Sequence, residues 1–513
     1  MRSRAVLVSL ICHAPGGQLS TMPRSGGWPA SGDGGAEPPS ALPGAPAVAV
    51  VVSPAETISE DALWPSRSSR LRGKRDPRSA HLAPSSHRRI LLTLGGDTDV
   101  SAIQYKEQAA PKSPGLGKHL PALDGLRGLA ILLVMTFHFG WVAPPEGRPA
   151  KLLTFFMNFG WTGVDLFFVL SGFLITGILL ESKREPAYFR SFYARRVLRI
   201  FPLYYGVLAV TLHVLPHFVP YDTPALRLLL HDQGWLWTYS ANVSVALRHG
   251  VYIWNADWLH LGVLWSLAVE EHFYLVWPLL VFLLPPRSIL KLSVALVVLS
   301  PLLRWMAFDA GVASGTLYCL TVFRADSLAM GGALAVVVRE PEILRRVLRY
   351  AKWAAVVAIG TVAVIVARRK FFAQLDPVVD IIGLTAMALL YGAILLLTVA
   401  GPEPSRLRRF LSHPRVTFFG KYSYGAYMLH ELLRPVYVRF FPVERLERTM
   451  GSEVLAFVIY WALASAITFA CAVVSFRVYE KPFLDLKRFF EYGKGAPVDA
   501  LATASAETSR PGS

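Results

Sequence analysis

Arg127 and His138 stand eleven residues apart in the apolar run DGLRGLAILLVMTFHFG. At 3.6 residues per turn that spacing is close to three turns, so both side chains share one helix face, about 16 Å apart along the axis. An ionisable group inside a membrane span is costly and usually faces a protein interior or a water-filled cavity. The pair therefore implies a polar cavity through an apolar bundle, and charges in such a place serve catalysis or the movement of a substrate. Further polar residues are grouped in other apolar runs: Asp165 and Ser171; Ser266, Glu270, Glu271 and His272; Arg324, Asp326 and Ser327; Tyr422, Ser423, Tyr424, Tyr427 and His430. Unpaired charges in hydrocarbon are unstable, so these groups are expected to meet one another around a common cavity.

The elements that must position them follow from hydropathy. The 513 residues are 53% hydrophobic and 17% charged, with a mean hydropathy of +0.41, more apolar than a soluble domain. From Gly125 onward about ten segments are long enough to cross a bilayer, a distance that takes about 20 helical residues. Their ranges are near 126–145, 156–180, 200–219, 258–284, 288–308, 316–338, 350–368, 378–400, 420–440 and 453–476. The expected fold is all-α, a polytopic transmembrane helix bundle with a disordered N-terminal extension. Residues 1–118, rich in Pro, Gly and Ser, form that extension; 119–484 form the membrane domain and 485–513 a flexible tail. The start MRSRAVLVSLICHA mimics a signal peptide without a convincing cleavage site, and translation beginning further downstream is a second reading of this tail.

The net charge of +17 suggests nucleic acid at first sight, but the Lys and Arg residues cluster in short segments between apolar runs, as orientation signals do. Lys183, Arg184, Arg190, Arg195, Arg196 and Arg199 form one such group; Arg345, Arg346 and Arg349, and Arg406, Arg408 and Arg409, form others. The positive-inside rule makes these cytoplasmic, with both termini inside and 220–257 and 441–452 outside. Arg368, Arg369 and Lys370 fall on the outer side and run against that order. Cys12, Cys319 and Cys471 offer neither a disulfide framework nor metal-ligand spacing.

Ordered motifs run through the frame: Arg127 and His138; Gly163-Val164-Asp165 with Ser171-Gly172-Phe173; and Phe192-Tyr193-Ala194-Arg195-Arg196-Val197-Leu198-Arg199-Ile200 before Pro202. Ser266-Leu267-Ala268-Val269-Glu270-Glu271 with Phe273-Tyr274, Arg324-Ala325-Asp326, and Glu480-Lys481-Pro482-Phe483 follow. On these the chain resembles the acyltransferase family 3 membrane proteins, which include bacterial O-antigen and other polysaccharide O-acetyltransferases, from about Leu120 to Phe483. The resemblance implies an inner-membrane O-acyltransferase that moves an acyl group, usually acetyl from acetyl-CoA, to a hydroxyl of a carbohydrate or glycolipid acceptor. It implies no permanently bound cofactor and no metal.

The residues suit that chemistry. A hydroxyl needs a general base, and His138, with an unperturbed pKa near 6.5, can accept and return a proton. Glu270, Glu271 and Asp165 are candidates to fix its tautomer, Glu270 first. Arg127 is assigned to a CoA phosphate and Arg195, Arg196 and Arg199 to the nucleotide end, so that the pantetheine arm reaches toward mid-membrane. Ser266, Glu271, Arg324, Asp326, Tyr424 and His430 are supporting candidates. Plainer readings stand beside these: Arg127 pairs with Asp124 and anchors its helix, His138 is a structural hydrogen-bonding histidine, the arginines are orientation signals, and Arg324 with Asp326 is a structural ion pair. The alternatives in function are a proton-coupled transporter and transfer of succinyl or a longer acyl group. His217 with Asp222, which has the H-x4-D spacing of glycerolipid acyltransferases, and the sequon at Asn242 are set aside as chance matches. Trp235, Trp237 and Tyr239 are read as interface anchors in preference to sugar-stacking groups.

Overall fold

The computed structural model describes residues 120–140, 148–218, 223–256, 259–402 and 405–491. All of them lie in the second of two compact units, Ala102–Ser513. The expected extension 1–118 and the chain beyond Glu491 lie outside the described residues, as does Asp222. Helix continues past the expected boundary at residue 484, through Lys481–Asp485 and Leu486–Phe490. Arg195 secures this end by donating to the carbonyls of Lys487 and Phe490 at 3.3 and 3.5 Å.

The chain is a helical multi-pass membrane protein. Among the described residues the only sheet is a two-stranded antiparallel ladder, Asn255–Ala256 with Leu259–His260. Eight of the ten expected segments form helices long and apolar enough to cross a bilayer. They contain α1 (Pro121–Gly140), α2 (Gly163–Ser182), α3 (Tyr188–Ala209), α4 (Leu264–Leu283) and α5 (Pro286–Asp309).

The expected spans 316–338 and 420–440 are not continuous helices. The first divides into Ser314–Cys319, a 3-10 turn Thr321–Arg324 and α6 (Ala325–Val337). After α7 (Pro341–Arg369) and α8 (Leu384–Ala400), the second divides into Pro414–Lys421, α9 (Ser423–Leu429) and Arg434–Phe440. Glu453–Ser475 forms α10. Each break carries polar side chains into the interior, Arg324 in one and His430 and Glu431 in the other. Non-helical backbone at membrane depth is tolerated where protein or a cavity surrounds it.

Helix α7 shows how the bundle is solvated. Its buried residues are Leu344, Ala351, Ala358 and Ile365, one every seventh position and hence one narrow stripe. Trp353, Val356, Val357, Ile359 and Val364 point outward, as expected of a helix facing lipid. Its C-terminal Arg369, in the basic stretch expected on the outer side, donates to Asp376 at 2.8 Å through Nε, which offsets part of that charge.

Close packing fixes the interior. Helices α2 and α6 approach through Gly172 and Gly331: a Cβ on Gly172 would collide with the Leu328 carbonyl, and one on Gly331 with that of Val169. Small residues at such crossings let backbones touch, which supplies the packing that drives helix association in lipid. Two buried ion pairs hold the same region. Arg324 meets Asp165 at 2.8 Å and Arg304 meets Asp326 at 2.9 Å, all four side chains with 0% exposure. The expected Arg324–Asp326 pair is thus two pairs with other partners, because Asp326 in the first turn of α6 turns toward α5 while Arg324, two residues earlier at the end of the 3-10 turn, faces α2.

Candidate active site

A cavity of about 140 Å³ opens among α1, α2, α3, α4 and α9, lined by Arg127, Arg196, Arg199, Ser171, Ser266, Glu270, Tyr274, Ser423, Tyr424 and Tyr427 with apolar residues between them. A cavity of about 150 Å³ takes a molecule the size of benzene, so this one accommodates a thioester tip and not a whole nucleotide. Its rim is basic. Arg127 reaches Asp124 at 3.0 Å while staying 38% exposed, so it keeps donors for another anion. Arg196 lies over the Tyr274 ring and Arg199 over the Tyr424 ring, each at 5.8 Å.

Glu270 belongs to this cavity. It hydrogen-bonds Tyr274 and Ser171 and feels Arg196 and Arg127 electrostatically. Ser171 and Tyr274 meet each other at 2.5 Å. Tyr424 donates to the Ile200 carbonyl at 2.7 Å. Tyr427 donates to the Val263 carbonyl at 2.9 Å and meets Ser266, closing the inner wall.

Beyond that wall lies a histidine pair. The Tyr427 and His430 rings are 5.6 Å apart, and those of His430 and His138 5.0 Å. His430 is fully buried, and its Nδ1 lies 2.7 Å from the Tyr427 carbonyl, a distance at which only N–H can donate. Its Nε2 therefore carries the lone pair, and this faces Nδ1 of His138 at 3.3 Å. His138 Nδ1 is also 2.9 Å from the Val134 carbonyl, so the ring proton is assigned to Nδ1 and the basic nitrogen of His138 is Nε2. The helix break supplies this geometry: α9 ends at Leu429, and His430 and Glu431 turn toward the C-terminal end of α1.

Glu431 follows at 3% exposure, one oxygen 3.5 Å from Arg434 and the other, Oε1, buried without a hydrogen-bond partner. Ligand-capable atoms of His138, His430 and Glu431 all lie within 4.8 Å of one another, a two-histidine, one-carboxylate set whose carboxylate is already paired with Arg434. His260, on the second strand of the ladder, feels Glu431, Arg434 and His138, and its burial lowers its pKa from the usual 6.5.

The family model described as an acyltransferase domain matches residues 120–477. The chain belongs to this acyltransferase family. It is 33% identical over 391 residues to the peptidoglycan O-acetyltransferase OatA of Listeria monocytogenes, covering 74% of this chain and 58% of that protein. It is 30% identical over 396 residues to the putative peptidoglycan O-acetyltransferase YrhL of Bacillus subtilis, 71% of this chain and 55% of that one. The O-acetyltransferase OatA of Staphylococcus aureus is 27% identical over 325 residues, 61% of this chain and 50% of that one. The chain thus spans little more than half the length of these relatives. No solved structure matches it.

Within this family member the sequence-predicted residues separate into five groups. Arg127, Arg196, Arg199, Ser266, Glu270 and Tyr424 share the cavity; His138 and His430 meet behind it. Asp165 and Arg324 pair with each other and Asp326 with Arg304, while Arg195 turns to the C-terminal segment. Glu271 shares no cavity wall with Glu270; it lies toward Tyr204, Tyr205 and Tyr239. The neighbour the structure gives His138 is His430, not Glu270: successive residues of α4 point in different directions, and the Glu270 face carries it to Ser171. Glu431, Arg434 and His260 were missed. The signal for Glu431 was a carboxylate directly after His430 in an apolar run. Asn242 is fully buried and donates to Thr321 at 2.9 Å, so the sequon there is not available to a glycan. Trp237 stacks on Tyr205 and Tyr239 on Tyr204.

Proposed function

We propose that this chain is an inner-membrane O-acetyltransferase with both termini in the cytoplasm, which takes its acetyl group from acetyl-CoA and gives it to a hydroxyl of a cell-wall carbohydrate, as the names of its relatives suggest. The observation that carries this reading is the division of one helix face between two compartments. Arg127 stands at a basic cavity sized for a thioester tip, and His138, about three turns along, stands in a histidine pair beyond Tyr427. The phosphates of CoA lie at Arg127, Arg196 and Arg199, whose guanidinium forks match phosphate oxygens, and the pantetheine arm runs inward past Glu270 and Tyr427.

His138 Nε2 takes the proton of the acceptor hydroxyl as its oxygen bonds to the thioester carbonyl carbon. The C–S bond then breaks, and the imidazolium returns the proton to the CoA sulfur, leaving the O-acetyl ester and free CoA. His430 stabilises the imidazolium by accepting from Nδ1, the task a carboxylate performs in a serine hydrolase triad. Full-length protein in nanodiscs tests the donor assignment through acetyl-CoA kinetics. Arg127→Ala and Arg196→Ala are expected to raise the acetyl-CoA KM about tenfold or more, the loss of a charge-assisted hydrogen bond. An unchanged KM would remove the phosphate assignment.

A further inference from the structure

Three buried polar groups around the histidine pair have no hydrogen-bond partner: Oε1 of Glu431, Nδ1 of His260 and the hydroxyl of Tyr460. They come from three separate elements, the break after α9, the β-ladder and α10, and share the surroundings of the histidine pair. Glu431 and Arg434 act electrostatically on both His260 and Tyr460, and Phe139, next to His138, packs its ring on those of His430 and Tyr460. None of them lines the basic cavity. An unpaired buried polar group costs about 1–3 kcal/mol, so three converging on one place indicate a ligand that pairs with them.

The set discriminates among ligand chemistries. Arg434 holds the other oxygen of Glu431 and offsets its charge, so the group is a poor trap for a free cation. A carboxylate facing inward repels an anion. What remains is one acceptor on Glu431, a ring nitrogen that donates or accepts, and a phenol that does both, which complements neighbouring neutral hydroxyls. We propose that Glu431, His260 and Tyr460 form the acceptor subsite, which holds adjacent hydroxyls of a carbohydrate so that one of them reaches His138 from the side opposite the donor cavity. The subsite rests on the donor reading above and names the side chains that choose acceptor over water.

The test is the partition of acetyl groups. Full-length protein in nanodiscs receives acetyl-CoA with an N-acetylglucosamine–N-acetylmuramic acid disaccharide, and both CoA thiol and O-acetyl ester are counted. Ester formed per thiol released does not depend on how much of a variant is folded. Glu431→Gln and His260→Ala are expected to lower that ratio about tenfold, as the loss of one hydrogen bond to a charged or buried group does, with Tyr460→Phe lowering it less. A ratio equal to wild type while both rates fall together would overturn the subsite and make these residues supports for His430. Wild-type protein that releases no thiol would overturn the donor reading and the subsite with it, a result distinct from an unchanged ratio.

Discussion

Replacing Asp165 by Asn separates a structural from a catalytic carboxylate. Asp165 Oδ1 accepts from Arg324 at 2.8 Å and from Ser327 at 3.0 Å, and both members of the ion pair have 0% exposure. Nε and Nη1 of Arg324 have no hydrogen-bond partner, so among the described residues Asp165 is the carboxylate bonded to this cation, while Asp326 and Asp380 act on it through space. The Phe168, Trp265 and Tyr318 rings, 5.4, 5.8 and 5.1 Å from the guanidinium, stay in place in the variant and cannot replace the lost charge. Leaving a buried charge uncompensated costs about 3–5 kcal/mol. At about 2 °C per kcal/mol for a chain this large, the melting temperature in detergent is expected to fall by roughly 6–10 °C. Because a buried pair exchanged for apolar residues of similar volume is often neutral, Asp165→Leu with Arg324→Met is expected to regain most of the loss. Thermal unfolding and acetyl transfer should be measured on the same preparations. A single variant as stable as wild type would refute the neutralisation argument. A double variant that regains stability but transfers no acetyl would put Asp165 in the chemistry.

Gly172→Ala drives a methyl group into the Leu328 carbonyl and is expected to part α2 from α6, lowering the melting temperature as severely as a core overpacking of about 1–3 kcal/mol; a wild-type melting curve would show that the crossing is looser than described. The His138–His430–Glu431 trio bears on metal. Histidine base catalysis predicts that protein stripped with EDTA keeps its acetyl-CoA turnover, whereas a loss reversed by zinc would show that the trio holds an ion.

Hydropathy made the bundle legible because lipid exposure needs about 20 apolar residues per crossing, and eight of the ten segments are helices of that kind. It reports apolar content and not continuity, which is why the breaks before Ala325 and after Leu429 were invisible. The Arg127–His138 spacing was legible because helix geometry fixes both face and rise. The partner of His138 was not: placing Glu270 against it requires the rotation of α4 about its own axis, and in the structure that rotation turns Glu270 to Ser171 and Tyr274. The pairing of Asp165 was illegible for a related reason, since its arginine lies 159 residues away in sequence and Asp326 offered that arginine a nearer match. Glu431 and His260 gain their significance only from a helix break and a two-residue strand, neither of which has a hydropathy signature.

The most direct test of the account is acetyl-CoA turnover by full-length protein in nanodiscs, wild type against His138→Ala, with acetyl-CoA binding measured alongside. Binding within a factor of about two and turnover reduced by about 10²–10⁴, the contribution of a general base, is the expected result. Turnover that survives in the variant, or binding that disappears with it, would contradict the placement of His138 at the chemical step.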